Sequence, residues 1–540
     1  MGQLERARKY EYPVKFVPRG LVDAFDATDK FQGACIALKN LIFDQSNPEV
    51  MVSRPGVSSI YAFGDFTTPG AVSVHVTVGS VTYGMISSAL NAGKDEPFAY
   101  DHVAGAFIPV TGVTNGNSPT TQATTGAWTP PVMASGGVYI IVTHPGFPGG
   151  ATKFGYFDIT VPSAPVWAAG DTTTNALPST PLWVANFGNR AYFGCTNTTP
   201  YTDVLTLVRT NSSQSLTIGD SANTLAGAGL PVQTTSSGIV QALIVFKAFQ
   251  VWQITGDAAT SNLALNYLSL TVGCSSPRSI VQAPSGLYFA SIAGPRIIDP
   301  LGNLKVVAHD AQAPEADIQA PFQNAVVPSR IAAGYSGNVY RICMETVVRG
   351  VQSFNDYWFD ENRRRWTGPH SFPFDCASQF GNYFVLVSNA NPAKLYKSES
   401  LPSASSVYTD DGTAITATLQ SSTFPKTGHM AMKQVVESTQ ELASNGSATS
   451  YQITALDDLG NTLNSTQVSI LPAGGLWNAV VWGAFNWASS LNIPTPYDVP
   501  WGVPLVFKKM ALYITASATT ALALGAHYSM FRDTGMTNNK

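Results

Sequence analysis

The chain has 540 residues, of which 44% are apolar and only 12% are Asp, Glu, Lys or Arg, with a formal net charge of −4. Charge that sparse is about half the usual share; it excludes a protein that holds nucleic acid through clustered cations and leaves Ser, Thr, Asn, Gln and Gly to cover the surface. The 46 Gly and 35 Pro exclude an architecture of long helices.

The first twenty residues carry Arg6, Arg8, Lys9 and Lys15 and no apolar stretch of signal-peptide type, and no run of about 18 apolar residues follows. The expectation is a protein made in the cytoplasm without a membrane span. Residues 1–63 then contain the apolar run Asn40-Leu41-Ile42-Phe43, the polar turn Asp44 to Pro48, and Arg54-Pro55-Gly56-Val57. Proline fixes φ and glycine is free to take φ > 0, so the segment reads as a tight structural corner. Residues 64–178 are rich in Thr, Gly and Ala. They contain the strand candidates Ser73–Val78 and Gly137–Val142, and a loop at Thr120–Gly126 followed by Pro130-Pro131; they read as an inserted β-domain.

Residues 179–436 hold the densest aromatic strands. In order these are Asn189 to Gly194, Ala242 to Phe246, Val251 to Gly256, Val272-Gly273-Cys274, Gly286 to Ser291, Gly294 to Asp299, Tyr357 to Asp360, Arg365-Trp366-Thr367 and Tyr383 to Val387. Strand, tight turn, strand is the rhythm of propeller blades, but no strict repeat of 40–50 residues fixes their number. Helical periodicity is confined to about 315–326, where Pro321 allows a turn or two. A second β-insertion is expected at 437–503, with a hairpin turn at Asp457 to Asn461, and strands that close the fold at 504–540. The fold class is therefore all-β, a β-propeller core with inserted β-domains.

The Asn40…Arg54-Pro55-Gly56 pattern, with the entry Pro18-Arg19-Gly20-Leu21 and Gly33-Ala34-Cys35, resembles the tail nozzle (tail tubular B, or tail hub) proteins of short-tailed bacteriophages. The aromatic strands of 180–435 are similar to the propeller of the same family; 64–178 and 437–503 match it poorly. The resemblance implies a structural virion protein in the tail. It would form a ring, usually a homohexamer, docked on an adaptor or portal-side ring and bearing fibres or spikes, that retains packaged DNA and forms its ejection channel. It also implies scaffold roles for Asn40, Arg54, Pro55, Gly56, Gly256, Gly273, Gly294 and Trp366, with Arg54 donating to carbonyls of a neighbouring strand.

No motif completes a catalytic, cofactor or metal site. His75, His102, His144, His309, His370, His429 and His527 stand singly, and the five cysteines form no CxxC and read as buried, reduced residues. Gly334-Tyr335-Ser336-Gly337-Asn338 lacks the last glycine of a nucleophile elbow. Gly227-Ala228-Gly229 lacks the third glycine of a dinucleotide fingerprint. Asp410-Asp411 and Asp457-Asp458 run into turn glycines and read as hairpins rather than acid/base pairs. Arg363-Arg364-Arg365 reads as a solvated hairpin tip, and Trp477, Trp482, Phe485 and Trp487 as core or interface. The expectation is a protein that is no enzyme; the alternative is a carbohydrate-binding or glycan-degrading propeller.

Overall fold

The computed structural model describes residues 11–22, 33–63, 72–87, 95–114, 117–119, 132–171, 175–231, 233–235, 238–256, 262–310, 315–348, 351–388, 394–403, 405–424, 431–444, 449–470 and 494–537. They are almost entirely β, with one single-turn α-helix at Ala320–Gln323, and they form two compact units. Unit 1 comprises Met1–Ser58, Tyr357–Ser371 and Leu401–Lys540; unit 2 comprises Ser59–Asp356 and Phe372–Ser400.

Unit 2 is a β-propeller. Four complete antiparallel blades of four strands are present. The first is Val72–Val78, Val81–Ser87, Asp95–Asp101 and Ala106–Ile108; the second is Val132–Gly136, Tyr139–Thr143, Phe154–Asp158 and Val166–Gly170. After an intervening pair of hairpins come Ala226–Gly229, Ala242–Phe246, Val251–Thr255 and Ala264–Ser269, and next Val281–Ala283, Gly286–Ser291, Gly294–Ile298 and Leu304–Val306. Three further sheets complete the circuit. The first is the pair of hairpins at Trp183–Gly194 and Thr198–Thr217, joined by a Tyr192–Tyr201 bridge. The second is led by Ala332–Ser336 and Val339–Val348, and the third is Cys376–Phe380, Tyr383–Val387 and Lys394–Glu399.

Apolar faces of successive sheets bury one another, which is what orders the blades. Met85 and Ala99 meet Ile140 and Phe157; Phe154 meets Phe193; Trp183 and Tyr192 meet Leu243 and Ile254; Ile244 and Phe246 meet Leu287 and Phe289. Tyr288 then stacks on Tyr340, ring centroids 4.6 Å apart. Arg341, ion-paired to Asp356 at 2.6 Å with both side chains fully buried, lies over the rings of Phe374 and Phe384. The circuit closes where Ile86, Phe98 and Tyr100 of the first blade pack on Val385, Val387 and Leu395 of the last sheet. Burial of these side chains contributes roughly 1.5–3 kcal/mol each before entropy is counted.

Unit 1 is built from two antiparallel sheets. One contains Leu41–Phe43, Met51–Ser53, Leu522–Thr537, Ala431–Ser444 and Thr495–Asp498, with Glu11–Phe16 and Val506–Phe507 alongside. The other runs through Arg365–His370, Cys35–Lys39, Thr413–Ser421, Ala511–Ala518, Thr449–Leu456 and Thr462–Ile470. Phe424 stacks between Phe16 and Phe531 in this unit, and the Tyr451 hydroxyl donates to the Ala443 carbonyl at 2.7 Å.

The propeller is as expected, but its parts are distributed differently. Segment 64–178 is no insertion: its described strands are the first two blades. Segment 437–503 is no insertion either, because its strand Thr449–Leu456 pairs with Ala511–Ala518 inside unit 1. Residues 1–58, expected in the propeller, belong to unit 1, as do 357–371 and 401–436 of the stretch expected to form the main blades. Composition follows exposure, whereas domain membership follows pairing between strands far apart in sequence, and a Thr/Gly-rich blade is composed like a surface loop. The helix near 315–326 is one turn, Ala320–Gln323, with Pro321 in its first turn, and Gly460, at φ +85°, closes the expected hairpin at 457–461. The loop at 120–126, His429 and the aromatic cluster Trp477, Trp482, Phe485 and Trp487 lie outside the described residues.

Candidate functional site

The Asn40…Arg54-Pro55-Gly56 pattern closes on itself in unit 1. Asn40 sits at φ +57° between Cys35–Lys39 and Leu41–Phe43, a left-handed conformation that asparagine tolerates better than most residues. Its backbone N–H donates to His370 Nδ1 at 2.9 Å, its side-chain amide donates to the Thr416 carbonyl at 2.8 Å, and its own carbonyl accepts the Arg54 N–H at 3.0 Å. Asn40 Oδ1 accepts from Arg54 Nε at 2.9 Å and from the Ser371 N–H at 3.0 Å.

Arg54 is fully buried and spends its fork on one acid. Nη1 donates to Asp410 Oδ1 at 3.0 Å and to the Pro55 carbonyl at 2.9 Å; Nη2 donates to Asp410 Oδ2 at 2.5 Å and to Ser371 Oγ at 3.2 Å. A planar guanidinium suits such bidentate pairing, and lysine would not reproduce it. Gly56 makes the approach possible: its N–H donates to the Val407 carbonyl at 2.7 Å, and a Cβ there would stand 2.1 Å from the Thr409 carbonyl oxygen. The clamp thus joins residues 40–56, 370–371 and 407–416. The expectation of donation to carbonyls of a neighbouring strand is corrected: the side chain instead meets the Asp410 carboxylate and the carbonyl of the next residue, Pro55. Asp410 opens a hairpin turn, with Asp411 at φ +49° and Gly412 at φ +87°, as its sequence suggests; its role as counterion to Arg54 was not legible, since 356 residues separate them.

The other four scaffold positions do not join this clamp. Gly256, Gly273 and Gly294 lie in unit 2 at close backbone approaches, where a Cβ would stand 2.3 Å from the Asn262 carbonyl oxygen, 2.2 Å from that of Lys247 and 2.9 Å from that of Ile318. Trp366 lies in unit 1, fully buried against Phe359 at 5.0 Å. In the basic run Arg363 is part-buried: it pairs with Asp360 at 3.6 Å, donates to the Asp44 carbonyl and lies over Phe43, while Arg364 takes the turn at φ +53°. All five cysteines are buried and unbridged, and among the described residues no group of three His, Cys, Asp or Glu is placed to hold a metal.

Unit 2 contains an axial cavity of about 560 Å³ between the first strands of its sheets. His75 and Thr77 reach it from the first blade, Met133 from the second, Arg278 from the turn before Val281–Ala283, Gln282 from that strand, and Ser378 and Gln379 from the last sheet. A chain of hydrogen bonds runs along its wall: His75 Nδ1 to Ser378 Oγ at 2.9 Å, Ser378 Oγ to Thr77 Oγ1 at 2.7 Å, Thr77 to Thr82 at 2.7 Å, and Thr82 to His102 Nε2 at 2.7 Å. His102 stacks on Phe380 at 4.5 Å. Burial pushes His75 down to about 3, so its ring is neutral near pH 7. Arg278 Nη1 donates to the Asp375 carbonyl at 2.6 Å, and the Asp375 carboxylate is held by Arg330 at 2.9 and 3.1 Å. Sequence reading passed over this wall because each residue is unremarkable in its own strand.

No protein-family model matches the chain, and no curated protein matches it. Among solved structures it is similar to a puromycin hydrolase (10% identity, 68% of this chain and 62% of that one, TM-score 0.34). It is also similar to a puromycin-hydrolyzing peptidase of Mycobacterium tuberculosis (9% identity, 68% and 61%, TM-score 0.36). A third is an exo-beta-1,3-galactanase of Phanerochaete chrysosporium (8% identity, 89% and 99%, TM-score 0.23). The match spans about six-tenths of the two puromycin-cleaving chains. At these identities and TM-scores the likeness carries no argument about activity or substrate.

Proposed function

We propose that this chain is a structural virion protein, the tail nozzle or hub of a short-tailed bacteriophage, assembled as a ring that retains packaged DNA and forms the channel for its ejection. The observation that carries the reading is the clamp. The residues on which the resemblance rests, Asn40, Arg54, Pro55 and Gly56, are buried and hydrogen-bonded to backbone and to one another. Residues so placed hold a scaffold and reach no substrate. A surface short of charge supports the ring, because Ser/Thr/Gly-rich faces lose little hydration energy when they meet a partner. In this reading the partners are further copies of the chain, in a homohexamer, an adaptor or portal-side ring, and fibres or spikes; the location is the virion tail, after synthesis in the host cytoplasm. The described lining of the axial cavity contains no Asp or Glu, which weighs against glycan cleavage there, since that chemistry uses a carboxylate pair.

Cryo-electron microscopy of virions, or of the chain mixed with its adaptor, is expected to show it in a cyclic ring at the tail. A single peripheral copy on the assembled particle refutes the proposal.

A further inference from the structure

We propose that a groove on the exposed sheet face of unit 1 docks an extended, cationic segment of a partner protein, whose Lys or Arg side chains at alternate positions meet Glu437 and Asp498. The inference does not rest on the nozzle reading, because it concerns the chemistry of one face of one chain.

The groove exists because a strand edge is interrupted. Ala431–Ser444 pairs with Thr495–Asp498 as far as Thr439 and with Val506–Phe507 from Gln434. Between those pairings, among the described residues, the connecting segment keeps two backbone bonds to the strand: the Val499 N–H donates to the Ser438 carbonyl at 2.9 Å, and the Val435 N–H donates to the Leu505 carbonyl at 3.0 Å. Pro500 and Pro504 have no N–H and cannot extend the ladder, so the segment lifts away from the edge. The space left is about 590 Å³, lined by Val436 and Glu437 of the strand, Asp498, Trp501 and Val503 of the segment, and Arg532.

Charge selects the occupant. Glu437 and Asp498 are both exposed, and neither has a hydrogen-bond or ion-pair partner among the described residues. Arg532 does not neutralise them, since its Nε donates to Glu11 at 2.8 Å and its Nη2 pairs with the same carboxylate. Asp498 stands opposite Thr439, two residues along from Glu437 on the same exposed face, the diagonal relation that sets neighbours roughly 7–8 Å apart. On an extended chain alternate side chains share a face and recur about every 6.6 Å, so cations at i and i+2 reach both acids at once. The apolar lining favours a polypeptide over a bare cation. Val436 and Val503 are 44% and 58% exposed beside the acids, and a segment with side chains of its own covers them where a hydrated ion does not.

The test is isothermal titration of the full chain with the blocked peptide VSKSKSV, its neutral counterpart VSQSQSV, putrescine and magnesium chloride. VSKSKSV is expected to bind saturably at low salt with a Kd below about 1 mM, and the three controls about tenfold more weakly or worse. Raising the ionic strength from about 0.01 to about 1 M shortens the screening length from about 30 to about 3 Å and should bring VSKSKSV down toward VSQSQSV. Glu437→Gln and Asp498→Asn are nearly isosteric changes at exposed sites; each is expected to keep the wild-type melting temperature and to weaken VSKSKSV by about two- to fivefold. The proposal is overturned if VSKSKSV gives no saturable heat, if VSQSQSV binds as tightly, or if either folded variant binds unchanged. Putrescine or magnesium bound as tightly as the peptide makes the groove a small-cation site and overturns it too. Sedimentation of the chain alone checks the remaining occupant: a dimer that both variants abolish makes the groove a contact between copies, and likewise overturns the proposal.

Discussion

Replacing Arg54 by Ala removes the guanidinium that five hydrogen bonds tie to Asn40, Pro55, Ser371 and Asp410. It leaves the Asp410 carboxylate, whose side chain is 18% exposed, facing the hole. Truncating one partner of a buried ion pair costs about 3–5 kcal/mol; partial access of water to Asp410 places the expected loss near the lower figure. For a unit of roughly 200 residues, about 3 kcal/mol lowers the melting temperature by about 6–12 °C. Asp410→Asn keeps a hydrogen-bond acceptor beside Arg54 but removes its counterion, and about 1.5–3 kcal/mol is expected. The double variant Arg54→Ala, Asp410→Ala should lose less than the Arg54→Ala and Asp410→Ala losses added together, since each single variant leaves an unpaired charge behind and the double variant leaves none. Calorimetry gives the melting temperatures, and hydrogen exchange read by mass spectrometry assigns the loss to unit 1, with faster exchange at Leu41–Phe43 and Thr413–Ser421. An Arg54→Ala chain that melts within about 1 °C of wild type, with exchange unchanged on those strands, refutes the clamp as a stabilising element.

Gly56→Ala and Gly273→Ala each drive a Cβ to within 2.2 Å of a carbonyl oxygen, and are expected to give misfolded or insoluble protein. Gly188→Ala meets open space at φ +56° and should cost only about 1 kcal/mol, so equal melting temperatures for the three variants would refute the close-approach argument. Burial holds His75 and His527 down to about 3, below their unfolded 6.5. Above pH 6.5 both states are neutral and stability is undiminished; as pH falls from 6.5 toward 3 the unfolded chain takes up protons that the folded one refuses, and stability is lost across that window. Proton uptake on unfolding at pH 5 should therefore fall by about one for His75→Gln or His527→Gln, and an unchanged uptake overturns the assignment. Trp366→Ala, at a fully buried site against Phe359, should lose about 3–5 kcal/mol in denaturant melts, and a loss below about 1 kcal/mol would show that the site collapses around the deletion.

The sequence by itself determined the class of structure. Runs such as Ala242–Phe246 and Tyr383–Val387, bounded by turn residues, have one low-energy use, as buried strands of antiparallel sheets, and they occupy it. The turns at Asp411-Gly412 and Gly460 were equally legible, because φ freedom acts within one or two residues; Gly56 instead serves a close approach to Thr409, 353 residues away, that sequence did not reveal. Tertiary structure alone decided membership and partnership. That the Thr/Gly-rich stretch 64–178 supplies two blades, that Thr449–Leu456 pairs with Ala511–Ala518, and that Arg54 finds its counterion in Asp410 are outcomes of pairings across tens to hundreds of residues. Local composition is blind to such pairings because a strand's own residues fix its two faces but not which edge it will meet. The axial cavity shows the same limit: His75, Arg278 and Ser378 become neighbours only when the blades close into a ring, and their chemistry exists only there.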